Sequence, residues 1–279
     1  MSWRLTHDVE VFAAQVSDLL SADPVEHTVP LTVIESVRGG MRWSDLEMLF
    51  GWFDEGGIVR GAVLMTPPYE LLLVVVPLDT VAELAGALRR RRARVPGAQG
   101  DIATVTRFAE AFTAGTSVRA ATAMRMRLYA LSDLRSPSGV PGRARPATQN
   151  DVDRVVAWMR AFHGEVDVPA ADLESTVRAQ IADGRLWLWH DLAGTAVALA
   201  GRSGTVARMA RVGPVYTPPE HRRRGYGAAV TAAVTADALR AGADRVVLFT
   251  DLDNPISNSI YQRIGYRPVS DRRVVRFSA

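Results

Sequence analysis

His221-Arg222-Arg223-Arg224-Gly225-Tyr226-Gly227-Ala228 stands between a strand pattern and a helix pattern, and by local rules it is a poor way to begin a helix. Cations at the positive N-terminal end oppose the macrodipole by about 0.3 to 1 kcal/mol each. Glycine inside a helix costs about 1 kcal/mol against alanine. Such a conflict between local preference and position marks a site. An anion resolves it: free backbone N–H groups at the helix start, close approach allowed by Gly225 and Gly227, and arginine forks all favour phosphate oxygens. A pyrophosphate is the expected ligand. Two other readings compete, a solvated basic turn and the opening of a dinucleotide fingerprint. The second breaks at Val230, and the 29 residues after Thr250 are too few for a doubly wound domain.

Working outward, Thr148 and Asp151 form a capping-box pattern ahead of Val152, Val155, Val156, Met159 and Phe162, which predicts an amphipathic helix. A second helix is expected over 172–183, stopped by Gly184. Strands are expected over 186–190, 196–202 and 207–216. They are followed by a helix over 227–240, a strand over 245–250, a short helix after Asn254-Pro255 and a last strand over 273–277. Residues 136–146 (SPSGVPGRARP) have linker composition. The expected division is therefore a domain over 1–136, a linker over 137–146 and a domain over 147–279.

The first half mirrors the second at an offset of 137 residues, with Trp52, Asp54 and Gly57 matching Trp189, Asp191 and Gly194. Two strands, 62–65 and 69–76, follow as the second half would predict. This suggests a degenerate copy of the same fold. It has no counterpart of the 222–228 loop, so no cofactor is expected to bind it in this way.

Composition narrows the chemistry. The chain is 279 residues long and 48% hydrophobic, enough for two cored domains. It has no cysteine, which excludes disulfides, thiolate metal sites and a cysteine nucleophile. Its 33 basic residues are all arginine, so Schiff-base and P-loop lysines are absent too, and the pI of about 9.7 says little about nucleic acid at a net charge of +3. The run Arg89–Arg92 with Arg94 reads as the solvated, dipole-matched end of a helix beginning near Asp79. The most apolar stretch, 71–78, is far short of the roughly 20 residues of a membrane span, and 1–20 is unlike a signal peptide, so a cytoplasmic location is expected.

Arg222, Gly225 and Gly227 match the pyrophosphate signature Q/R-x-x-G-x-G/A, and Asn254 to Tyr266 (NPISNSIYQRIGY) looks like the Asn-rich helix, tyrosine and Gly-aromatic turn that follow it. In these two motifs, and in element order from Arg145 to Phe277, the chain resembles the GCN5-related N-acetyltransferase (GNAT) superfamily. Two linked halves, the first degenerate, are similar to its tandem members. The resemblance implies an α/β (α+β) fold with a mixed, mostly antiparallel sheet flanked by helices, in two such domains.

It also implies acetyl-CoA as co-substrate, no metal, and a primary amine on a small molecule or peptide as acceptor; the sequence itself gives no membrane partner, and nucleic acid is not favoured because no aromatic residues interleave the arginine run. By residue, it places the pyrophosphate on Arg222, Arg223, Arg224, Gly225, Tyr226, Gly227 and Ala228, and the pantetheine arm on Val215, Tyr216 and Thr217. The Val215 N–H becomes an oxyanion donor, since Pro214 has none. Tyr261 becomes the acid that protonates the departing thiolate, its alternative being an aromatic that packs the last helix. Asn254 and Asn258 orient that helix and contact the CoA arm, although Asn254 also reads simply as an N-cap. The sequence does not identify a base: His163, Glu165, His190 and Glu220 are polar groups near element ends that read first as ordinary surface residues, and Trp158, Trp187 and Trp189 read as an acceptor pocket or as core. A different class stays open: an acyl-CoA-binding sensor or assembly module without turnover.

Overall fold

The computed structural model describes residues 2–167 and 172–278, in two compact units. The first consists of Met1–Arg127 with Asp251–Asp253 and Ser270–Ala279. Its elements are β1 (Ser2–Thr6), α1 (Val9–Ser21), α2 (Thr28–Arg38), β2 (Leu49–Glu55), β3 (Ile58–Met65), β4 (Leu71–Val75), α3 (Val81–Arg90), β5 (Gly97–Asp101), α4 (Ile102–Thr113) and most of β6 (Arg119–Leu131). Strands β1 to β5 neighbour one another in order, antiparallel except for the parallel pair β4 and β5.

Periodicity explains the helices. In α1 the Asp8 carboxylate caps the N–H groups of Glu10 and Val11, and Phe12, Val16 and Leu20, at successive turns of one face, are buried. Phe12 stacks on Phe50 of β2 at 5.2 Å. On the other core, Leu84 and Leu88 of α3 and Phe108 of α4 pack with Leu71 and Leu73. The mirrored hairpin is present: Trp52 pairs with Ala62 across β2 and β3, as Trp189 pairs with Ala198 in the second unit.

The second unit, Leu128–Thr250 with Asn254–Val269, contains β7 (Arg143–Pro146), α5 (Val152–Glu165), α6 (Leu173–Ala182), β8 (Leu186–His190), β9 (Ala196–Arg202), β10 (Met209–Tyr216), α7 (Tyr226–Arg240), β11 (Arg245–Asp251), α8 (Pro255–Arg263) and the start of β12 (Tyr266–Ser278). Strand neighbours run β12-β6-β11-β10-β9-β8-β7. The sheet is mostly antiparallel, with β10 and β11 parallel, and helices flank it.

Three features depart from the sequence reading. By compactness the units divide in the chain at 127/128 rather than at 137–146, since the end of β6, from the fully buried Leu128 and Tyr129 to Leu131, lies in the second unit. Residues 143–146, expected as linker, form edge strand β7 on β8. Gly142 allows this: at φ +108°, a Cβ there would stand 2.0 Å from the His190 carbonyl oxygen. Strand β12 starts at Tyr266, and its end, Arg272–Arg276, pairs antiparallel with β5 inside the first unit. The polar run 267–273 hides it from a hydrophobic period.

The Thr148–Asp151 capping box forms as expected. The buried Asp151 carboxylate accepts from both terminal nitrogens of Arg145, at 2.8 and 2.9 Å, and from Thr148 N and Oγ1, each at 2.8 Å. The Arg145 bonds, ahead of those from Thr148, hold its pKa well below the usual carboxylate range. A depressed folded pKa contributes stability above the unfolded value of about 3.9 and loses it as pH falls. Asp151→Asn is therefore expected to lower stability by about 1 to 3 kcal/mol at pH 7. In urea unfolding, the gap from the parent should begin to narrow below about pH 4 and go on narrowing as pH falls toward the depressed folded pKa.

Candidate functional site

The parallel pairing of β10 with β11 runs from Met209–Arg245 to Val212–Leu248, while β10 continues to Tyr216 and β11 to Asp251. Beyond Val212 the two strands part. On its other side β10 carries one extra residue, since Val212 faces Arg202 but Val215 faces Ala200. That bulge decides where a backbone N–H points. Ser203 N donates to Arg211 O, so Arg211 faces β9, and alternation alone would turn Val215 to β9 as well. The extra residue reverses the phase, puts Tyr216 opposite Leu199 and directs the Val215 N–H into the gap beside β11. Gly213, at φ +151°, sits inside the bulge.

At the end of β10 the chain makes one 3₁₀ turn, Pro219–His221, and enters the loop. Arg223 (φ +62°) and Gly225 (φ +84°) are both left-handed. Gly225 is the N-cap of α7 and no side chain caps the helix, which leaves its first-turn N–H groups open at the surface. A Cβ on Gly225 would lie 2.9 Å from Val140 Cγ2, and one on Gly227 3.3 Å from Thr217 Oγ1. Tyr226 is buried in the core beneath the helix start. Arg223 and Arg224 are exposed. Arg222 is engaged with protein: Nε donates to the Thr217 carbonyl at 2.9 Å, Nη2 pairs with Glu165 at 2.5 Å, and the guanidinium lies 5.9 Å from the Tyr216 ring centroid. It braces the loop from behind.

Asn254 caps α8, its Oδ1 accepting from Ser257 N at 3.0 Å. Asn258 was expected on the CoA arm, yet its amide is used within the protein: Nδ2 donates to Asn254 O at 2.8 Å and Oδ1 accepts from Tyr129 at 2.9 Å. Tyr261 is buried against Tyr266, ring centroids 6.3 Å apart. Burial pushes its hydroxyl up to about 12, so the group is protonated at neutral pH. Tyr129, which precedes every motif, was not singled out from the sequence. A lone tyrosine in the alternating run 119–131 offers no periodic or motif signal.

The three tryptophans separate. Trp158 lies 6.2 Å from Tyr216, whereas Trp187 and Trp189 pack on the cluster of Tyr226 and Val230. Among the candidate bases, Glu165 and Glu220 stand close enough to Tyr216 to raise its pKa, behind burial as the chief cause. His190 is on β8, its Nδ1 2.8 Å from the Gly194 carbonyl. In the first unit, the helix that corresponds to α7 is entered through Pro77-Leu78-Asp79-Thr80, and the carboxylate of Glu83 in its first turn accepts from Trp3 N at 3.0 Å. Acidic groups there oppose an anion. Among the described residues, no group of three or more His, Asp or Glu could hold a metal ion, and no helix is long and apolar enough to cross a membrane.

This geometry has relatives. Residues 198–275 match the family model described as FR47-like protein. Solved structures align along the chain. They include a GNAT-family acetyltransferase from Colwellia psychrerythraea (TM-score 0.61, 13% identity, 99% of each chain). A second is a GCN5-related N-acetyltransferase from Sphaerobacter thermophilus (0.62, 16%, 99% of this chain and 95% of that one). A third is a tandem GNAT protein from the clavulanic acid biosynthesis pathway (0.59, 15%, 99% and 98%). No curated protein matches the chain in sequence. Identities this low establish a fold. Over nearly its whole length the chain shares the fold of these GNAT proteins, and residues 198–275, most of them in its second unit, carry the FR47-like match.

Proposed function

We propose that the second unit transfers an acetyl group from acetyl-CoA directly to a primary amine of a small molecule or peptide. The observation that carries this reading is the coincidence, at one end of β10, of two open sets of backbone donors. The bulge turns the Val215 N–H into the gap between β10 and β11, and a few residues on Gly225 opens an uncapped helix N-terminus. The first suits a carbonyl oxygen, the second a pyrophosphate. Acetyl-CoA supplies an activated thioester, whose acyl carbon an amine attacks with loss of thiolate.

In this reading the Val215 N–H stabilises negative charge developing on the carbonyl oxygen, and the N–H groups of Tyr226, Gly227 and Ala228 hold phosphate oxygens, with Arg223 and Arg224 adding charge. Tyr216 and Thr217 line the arm's path, and Asn254 and Asn258 keep α8 in place. Tyr261, at about 12, is a weaker acid than a thiol of about 8.5, so it works as a hydrogen-bond donor to the departing sulfur. Tyr261→Phe is expected to lower kcat by about 10- to 100-fold while acetyl-CoA affinity stays within twofold. An unchanged kcat would make Tyr261 a packing residue.

Calorimetric titration of acetyl-CoA, followed by thiol-release assays across an amine panel, tests the whole reading. Micromolar binding (about −8 kcal/mol) with release supports transfer. Binding without release on any amine favours the sensor or assembly reading, and absence of binding overturns both.

A further inference from the structure

The final residues of β6, Leu128–Leu131, belong to the second unit, although they precede the whole segment that resembles an acyltransferase. Tyr129 is fully buried there. Its hydroxyl donates to Asn258 Oδ1 at 2.9 Å and accepts from Gln262 Nε2 at 3.1 Å. Asn258 and Gln262 stand four residues apart on α8, one turn above the other on the same face. One phenol thus bonds two successive turns of the helix, and Tyr261 projects from the turn between them.

Helix α8 needs such help. It has nine residues, of which only Tyr261 is buried, and isolated helices below about 12 to 15 residues are marginal in water. Its orientation therefore comes from contacts, among them the Asn254 cap, the packing of Ile260 and Tyr261 in the core with Tyr266, and the two bonds to Tyr129. The Tyr129 pair grips two points along one face and so resists rotation about the helix axis. A tyrosine hydroxyl lies far from that axis, so a small rotation displaces it by the order of 1 Å, enough to cost about 100-fold in rate.

We propose that Tyr129 is a positioning residue. Through Asn258 and Gln262 it fixes the rotation of α8 and so the point at which Tyr261 presents its hydroxyl, and a strand ahead of the acyltransferase-like segment completes the candidate site. The kinetic part rests on the proposed acetyl transfer; the structural part does not.

Tyr129→Phe deletes the hydroxyl and little else. Hydrogen exchange in the full chain should show amides of 255–263 exchanging at least about 10-fold faster, with 226–240 unchanged. In the thiol-release assay kcat should fall about 10-fold with KM for acetyl-CoA within twofold. The double variant Tyr129→Phe/Asn258→Ala should be faster than the product of the two single losses predicts, because both substitutions remove the Tyr129–Asn258 bond. Exchange unchanged in 255–263, or raised equally across the unit, overturns the proposal, as does an unaltered kcat in a chain that turns over. If Tyr129→Phe does not fold, Gln262→Ala, at an exposed position, carries the same expectation. If the parent releases no thiol from any amine, the acetyl-transfer reading fails, while the exchange result still decides whether Tyr129 holds α8.

Discussion

Gly225→Glu is expected to weaken acetyl-CoA binding at least 100-fold, about 2.7 kcal/mol, while the chain remains folded. Three effects act together. The residue sits at φ +84°, where an L side chain costs about 1 to 2 kcal/mol. Its Cβ would lie 2.9 Å from Val140 Cγ2, so either the loop or residue 140 must move. A carboxylate then stands at the helix end that the pyrophosphate needs. The structure directs the new side chain first at Val140, so the loss comes largely from a displaced loop. Two controls separate these effects. Gly225→Ala should bind weakly, and Val140→Ala in that background should recover part of the loss. Gly227→Ala meets only Thr217 Oγ1 at 3.3 Å and should stay within about tenfold of the parent. Titration calorimetry with a melting curve on each variant gives the answer. Binding by Gly225→Glu at the parent's affinity would mean that the anion sits elsewhere.

What the sequence disclosed and what it concealed follow from the range of each signal. Capping and periodicity are local, so α5, α6, α7 and the β8–β9 hairpin lie within a residue or two of expectation. The loop was legible because arginines and glycines at a helix start contradict local preference, and such contradictions need only neighbours to be seen. Arg222 was legible as a residue, but not its bond to Glu165, which spans 57 positions, and no spacing rule reaches that far. The same holds for Asn258, whose partner Tyr129 is 129 residues away. The bulge that turns Val215 is set by register against β9, a property of two strands that neither reveals alone. The termini of β6 and β12 stayed hidden because a polar, partly exposed strand has no two-residue hydrophobic alternation to read.

The fragment 147–279 contains both signatures and every residue assigned to the cofactor, yet it is expected not to fold as a stable monomer. It lacks the end of β6, which neighbours β11 and β12. Leu128 and Tyr129 are both fully buried, and Tyr129 lies in one cluster with Tyr261 and Tyr266. Burying two such side chains is worth about 3 to 6 kcal/mol, against a whole-domain stability of about 5 to 15 kcal/mol. Cutting there also removes the bonds from Ser132 N to Gly265 O and from Arg135 N to Ile264 O, both at 3.0 Å. It leaves the edge of β11 unpaired and open to aggregation. The fragment 118–279 restores all of these groups and should regain cooperative unfolding, with α8 ordered. Urea titrations followed by circular dichroism would compare the two fragments with the full chain. A parent-like midpoint for 147–279 would place the domain boundary at the Pro/Gly-rich stretch that composition suggested and would reduce β6 to an accessory. A broad, early transition that 118–279 corrects would make the last strand of the first half part of the acyltransferase-like unit, so that the fold of one half is completed only with a piece of the other.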